Sequence, residues 1–198
     1  MKAGTVRHSA QEGTLLPLRV DVGGHALHVE MAGEGPPVLL LHGFTGSTRT
    51  LDGVAAGLHG ASFATIAVDL LGHGRSDAPR DPAAYAMERC TDDLARVLDV
   101  AGAPRAAVLG YSMGGRIALG LGVRHPARVR GLVAIGASAG LADPAARSAR
   151  RRDDEALADA IERDGVPAFV ARWMAHPLFA SQTRLGPAFL AAARTQRL

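Results

Sequence analysis

Gly110-Tyr111-Ser112-Met113-Gly114 sets a hydroxyl between two glycines, where an apolar β-branched run gives way to a helical pattern. That spacing suits a nucleophile or a proton-transfer group. On a sharp strand-to-helix turn the serine side chain projects above the sheet edge. Side chains two positions either way would collide with the crossing strand and helix, so glycine is required at both.

A second chemistry-bearing stretch is Leu39-Leu40-Leu41-His42-Gly43-Phe44-Thr45-Gly46-Ser47. A strand ending in His-Gly-aromatic is the usual first half of an oxyanion hole. Backbone N–H groups of Phe44 and Met113 would then face a developing negative oxygen. Removing one such donor typically raises a barrier by about 3 kcal/mol. His42 reads as a structural residue beneath that loop. The segment Asp69 to Asp77, DLLGHGRSD, reads as a tight turn whose polar side chains satisfy loop N–H groups.

These stretches need a scaffold, and the sequence supplies one. Residues 16 to 32 alternate apolar and polar about Gly23-Gly24, which predicts a β-hairpin. Continuous apolar runs at 36–42, 62–70, 105–112 and 129–138 suit parallel strands buried on both faces. Between them, 49–58, 83–101 and 113–124 have helical spacing. This alternation predicts an α/β fold, a mainly parallel sheet with flanking helices. From about residue 143 the pattern is helix after helix, opened by Asp143 as cap and Pro144 as first helical residue. The expected organisation is an α/β core over 1–138 and a helical cap over 139–198.

Composition excludes several classes. Net charge is +3, and Lys2 is the only lysine. The sequence pI of about 9.7 therefore reflects arginines that do not titrate in this range rather than a strong field. No basic stripe with interleaved aromatics suggests nucleic-acid binding. Cys90 is the only cysteine, so no internal disulfide forms, and its helical setting suggests a buried small residue. The first 20 residues hold no continuous apolar run of a signal peptide, and no run approaches the ~20 residues that span a bilayer. A cytoplasmic protein without membrane insertion, metal or cofactor is the expectation.

The three loops, in this order, resemble the α/β-hydrolase superfamily over residues 16 to 138. The resemblance implies a nucleophile elbow at Ser112 and an oxyanion hole at Phe44 and Met113. Ser112 argues against the haloalkane dehalogenases, whose elbow carries a carboxylate. Together with GLADPAARSARRRDDE, FVARWMAHPLF and AAARTQRL, the pattern is similar to the 2-succinyl-6-hydroxy-2,4-cyclohexadiene-1-carboxylate synthases of menaquinone biosynthesis. These lyases eliminate pyruvate from a substrate with several carboxylates. The resemblance implies substrate-binding roles for Tyr111, Arg116, Arg150, Trp173 and Arg194. It also implies that Ser112, activated by a histidine, acts as a base rather than forming an acyl-enzyme. Arginine forks do suit a polycarboxylate in a partly dry pocket. By composition alone, ARRRDDE is a mixed-charge exposed face and Trp173 is cap core.

One part of the pattern is missing. In this fold the order is serine, acid, then histidine. After Ser112 the only histidines are His125, at the far end of the elbow helix, and His176, in the cap. Neither follows a strand, so no catalytic histidine or acid is assigned. The expectation is a fragment of a longer enzyme, lacking about two C-terminal βα units of roughly 30 residues each. The alternatives are a general serine hydrolase of esters or lactones, and a catalytically inactive remnant.

Overall fold

The computed structural model describes residues 16–197. Most of the opening segment read for a signal peptide, and Leu198, lie outside the described residues. Strands β1 (Leu16–Asp21) and β2 (Ala26–Ala32) form the expected hairpin, with Leu16 opposite Met31 and Asp21 opposite Ala26. Four further strands follow: β3 (Pro37–Leu41), β4 (Ala64–Val68), β5 (Ala106–Tyr111) and β6 (Val129–Ile135). The sheet order is β1-β2-β4-β3-β5-β6. Strands β3 to β6 run parallel, and β2 joins β4 antiparallel.

Helices α1 (Asp52–Gly60), α2 (Met87–Val100) and α3 (Met113–Arg124) cross between the strands. The alternation of each strand sorts its side chains to two faces. Leu39, Leu41, Ile66, Val68 and Val108 join Leu94, Val97 and Leu98 of α2 and Ile117 and Leu121 of α3 in the larger core. Val38, Leu40 and Ala67 pack with Val54 and Leu58 of α1 in the smaller one. Both faces are covered at β3, which is why its sequence is an unbroken apolar run.

The differences from the sequence reading are local. The strand predicted over 62–70 is Ala64–Val68, because the Asp69 side chain turns to capping the next loop. The helix predicted from 83 starts at Met87; Asp81 caps a separate 3₁₀ turn, Pro82–Tyr85, and Ala86 is extended. Beyond β6 the described residues form only helices. Asp143 accepts from the N–H groups of Ala145 and Ala146 and opens α4 (Pro144–Met174). Gly165, at φ 78° and ψ 162°, and Pro167 break α4 into two helical pieces. A 3₁₀ run, Pro177–Leu185, leads to α5 (Gly186–Thr195).

Two contacts fix the loops at the carboxyl ends of the strands. Gly114 lies so close to β3 that a Cβ there would stand 2.3 Å from the Leu41 carbonyl oxygen; one on Gly110 would stand 2.3 Å from the Gly114 carbonyl. His42 is fully buried. Its Nδ1–H donates to the Gly43 carbonyl at 2.8 Å, and its Nε2 accepts from the Leu70 N–H at 3.0 Å. Thus one neutral imidazole joins the loop after β3 to the loop after β4. Asp69 completes the joint: its carboxylate accepts from the N–H groups of Thr48 (2.6 Å) and Arg75 (2.9 Å).

Backbone obstructs Gly114, so Gly114→Ala is expected to destabilise the chain by about 3 kcal/mol in urea unfolding. Burial, with His73 close by, pushes the His42 pKa down from 6.5 to about 4. Between these values the unfolded chain takes up a proton that the folded His42 refuses. Stability is therefore full above pH 6.5 and falls, by up to about 3 kcal/mol, as pH drops towards 4. Denaturant titrations at pH 7 and 5 should show this loss in the parent and a smaller one in His42→Gln.

Candidate active site

The residue joining β5 to α3 is held in a sparsely populated conformation. Ser112 has φ 51° and ψ −109°, a strain of about 1–3 kcal/mol that the surroundings must sustain. They do so from both sides. The Ser112 N–H donates to the Ile135 carbonyl at the end of β6 (2.8 Å), and its carbonyl accepts from the Arg116 N–H (3.1 Å). Ser112 is half-buried at the sheet edge. Among the described residues no histidine or carboxylate bonds to its hydroxyl.

The loop after β3 lies directly against this turn. A Cβ on Gly43 would come within 2.8 Å of the Tyr111 ring and 3.4 Å of the Ser112 Cβ. The Tyr111 ring thus lies across the ends of the strands, between Gly43 and Gly136. Phe44 follows Gly43, and no described acceptor takes its N–H. Met113 opens α3, so its N–H has no acceptor one turn back in the helix. Two free N–H groups and one hydroxyl therefore share this end of the sheet. Such a set can hold an oxygen that gains negative charge.

Aromatic rings bring the second piece of α4 down onto that loop. Phe44 packs edge-on against Trp173 at 5.6 Å between ring centres and at a tilt against Phe169 at 5.9 Å. Phe169 stacks on Trp173 at 5.7 Å, and His176 stacks on it at 6.1 Å. The Trp173 Nε1 is buried with no hydrogen-bond acceptor. On the inner side His73 packs on both Phe44 and His42. Its Nδ1–H donates to the Leu71 carbonyl, and burial pushes its pKa down, so the ring is neutral at ordinary pH. Phe169 and His73 were not singled out from the sequence. The Phe169–Trp173–His176 spacing of four and three residues is the one local signal for this stripe.

The arginines divide. Arg116 is exposed one turn into α3, and its guanidinium has no partner among the described residues. Arg150 is exposed and engaged by Asp154, one turn on, with both carboxylate oxygens 2.8 Å from Nε. Freeing it costs little, since exposed pairs are worth about 0–1 kcal/mol. Arg194 is exposed on the last turn of α5. Arg197, three residues on, is half-buried. A cavity of about 220 Å³ is lined by Ser47, Arg49, Asp69, Arg75 and Gln196 among others.

Neither later histidine sits at Ser112. His125 caps the far end of α3 and bonds to Asp92 at 2.8 Å. His176 belongs to the aromatic stripe. Among the described residues no group of three or more His, Cys, Asp or Glu is arranged to hold a metal ion, and no helix is long and apolar enough to cross a membrane.

Relatives agree with this architecture. The family model for the alpha/beta hydrolase fold matches residues 36–197. A protein of Bacillus subtilis named as a putative 2-succinyl-6-hydroxy-2,4-cyclohexadiene-1-carboxylate synthase is 40% identical over 172 residues, which cover 85% of this chain and 62% of that protein. The chain therefore spans less than two thirds of that relative's length. The structure of MenH from S. aureus superposes with a TM-score of 0.79 at 28% identity, over 89% of this chain and 66% of that one. A hydrolase from Pseudomonas aeruginosa does so with a TM-score of 0.75 at 26% identity, over 94% and 68%. With its parallel sheet, its strained strand-to-helix serine and this match over most of its length, the chain belongs to the α/β-hydrolase fold family.

Proposed function

We propose that this chain carries the serine elbow and cap of a carbon–oxygen lyase that releases pyruvate in menaquinone biosynthesis. Its substrate would be 2-succinyl-5-enolpyruvyl-6-hydroxy-3-cyclohexene-1-carboxylate. Its product would be 2-succinyl-6-hydroxy-2,4-cyclohexadiene-1-carboxylate. In this reading residues 1–138 form the core and 139–198 the cap, and the enzyme works in the cytoplasm. The observation that carries it is Arg116, one turn beyond Ser112, whose guanidinium has no partner among the described residues. A cation there is of little use to a neutral ester and suits a carboxylate. The names of the Bacillus subtilis relative and of the S. aureus structure point the same way.

The chemistry follows from the groups at the elbow. Ser112, deprotonated by a histidine that is not found beside it among the described residues, removes a proton from the substrate ring. Negative charge spreads onto the succinyl carbonyl, where the N–H groups of Phe44 and Met113 hold it. The ring carbon–oxygen bond to the enolpyruvyl group then breaks, and pyruvate leaves with that oxygen. Arg116, Arg150 and Arg194 bind carboxylates, while Tyr111 and Trp173 flank the ring. No cofactor or metal is called for by these steps, and the partner is a small polycarboxylate.

The second reading is a serine hydrolase of esters or lactones, favoured by the likeness to the Pseudomonas aeruginosa hydrolase. Pyruvate release and p-nitrophenyl acetate hydrolysis, measured side by side, separate the two. Arg116→Ala is expected to lower kcat/KM for pyruvate release about 10–100-fold, the worth of a charge-assisted hydrogen-bond pair, and to leave ester hydrolysis little changed. Ester turnover without pyruvate release would favour the hydrolase. Ligand binding with neither turnover would favour an inactive remnant.

A further inference from the structure

One ring beside the loop after β3 has no part in the steps above. His73 sits in the loop after β4, and that loop is tightly tied. Gly72 and Gly74 hold positive φ on either side of it, and a Cβ on Gly74 would stand 2.3 Å from the Asp69 carboxylate. The His73 N–H donates to the Leu70 carbonyl at 2.9 Å, and its carbonyl accepts from the Ser76 N–H at 3.1 Å. Its Nδ1–H donates to the Leu71 carbonyl at 3.1 Å, which orients the ring. The ring is thereby set 5.1 Å from that of His42 and 6.0 Å from that of Phe44, edge-on to the latter.

His42 and Phe44 flank Gly43, so His73 braces both ends of the segment that meets the elbow. The two neighbours differ. His42 is tied by two hydrogen bonds. The Phe44 side chain is held by rings alone, those of His73 and of Phe169 and Trp173 on α4. Behind it Thr45 sits at φ 64°, and the Gly46 N–H closes a turn onto the Gly43 carbonyl at 2.9 Å. With the backbone pinned there, the Phe44 ring is the lever that turns its N–H. A hydrocarbon ring in place of His73 would supply packing only, whereas an imidazole can also take up a proton. Burial is the largest influence on it and pushes its pKa down from 6.5. Asp69, on the same loop, favours the charged form, and charges on His73 and His42 oppose each other. From α4, among the described residues, one titratable ring joins this column, that of His176 on Trp173. A charged His73 needs water or Asp69, and so gives up its dry contact with Phe44.

We propose that His73 is a positioning residue of the Ser112 site, which holds Phe44 in place while neutral and releases it on taking a proton. This rests on the oxyanion role proposed for the Phe44 N–H, and it is the same for a lyase and for a hydrolase. It makes the loop after β4 the part through which acidification reaches the site.

The chain has five phenylalanines, so nitrogen-15 phenylalanine labelling gives a simple amide spectrum in which Phe44→Leu identifies the Phe44 signal. The full chain is titrated from pH 8 to 5.5, above the range near 4 where His42 takes up its proton. In the parent the Phe44 amide is expected to shift with a midpoint below 6.5. His73→Phe keeps a ring and should abolish that response. His176→Phe should retain it, which separates His73 from the titrating ring on α4. At pH 7.5 His73→Ala should displace the Phe44 amide and raise acrylamide quenching of Trp173, the only tryptophan, while His73→Phe stays near the parent. Where pyruvate is released, His73→Ala should lower kcat about tenfold at unchanged KM, and His73→Phe should restore most of it. If the alanine variant unfolds, the titration of His73→Phe still decides. An acid response that survives in His73→Phe, or none in the parent, would overturn the proposal. A His73-dependent Phe44 shift without pyruvate release would sink the lyase reading and leave this one standing.

Discussion

The close approach of α3 to the end of β3 is the constraint on which the site depends. Gly114 rests on the Leu41 carbonyl, and Gly110 faces Gly114 across the turn. Only bare backbone allows that crossing. Because the helix starts so near the strand, Ser112 is forced to a positive φ, and the tie from its N–H to Ile135 holds it there. The strain at the serine and the contact at the glycines are two ends of one packing arrangement.

A second layer of constraint keeps the neighbouring loop in register with that turn. His42 and Asp69 are buried polar groups, and each spends its hydrogen-bonding capacity on loop backbone. Low local polarity makes these bonds strong and makes their loss costly. The neutral His42 links Gly43, which touches the elbow, to Leu70 on the next loop. Phe44 then leaves this joint and enters the aromatic stripe of α4. Through Phe44 the helical segment beyond β6 and the elbow share one contact. A shift of Trp173 or Phe169 is thereby felt where the Phe44 N–H is presented.

Charge is distributed unevenly over this frame. Arg150 is already engaged by Asp154, and Arg128 by Asp99. Among the described residues Arg116 and Arg197 pair with no acid, and the Nε of the latter is buried. A surface rich in arginine thus holds very different electrostatic states. An exposed guanidinium keeps its water and needs nothing. A partly buried one keeps its charge at a cost.

The sequence by itself determined the α/β class, the strands, the strand-to-helix turn at Ser112 and the structural part of His42. Those features are local: unbroken apolar runs, glycine spacing and a cap residue before proline act within a few positions. Even there, spacing alone was insufficient. Gly136-Ala137-Ser138-Ala139-Gly140 repeats the glycine–serine pattern, yet no helix follows β6 at that point and Ser138 is not at positive φ. The helix crossing distinguishes the two serines. Only the tertiary structure decided which arginines are bound and which are bare. It also placed His73 and Phe169 around Phe44, the latter 125 positions away in the chain. Partners that far apart leave no periodic trace, because their meeting is set by how the sheet, α4 and α5 pack.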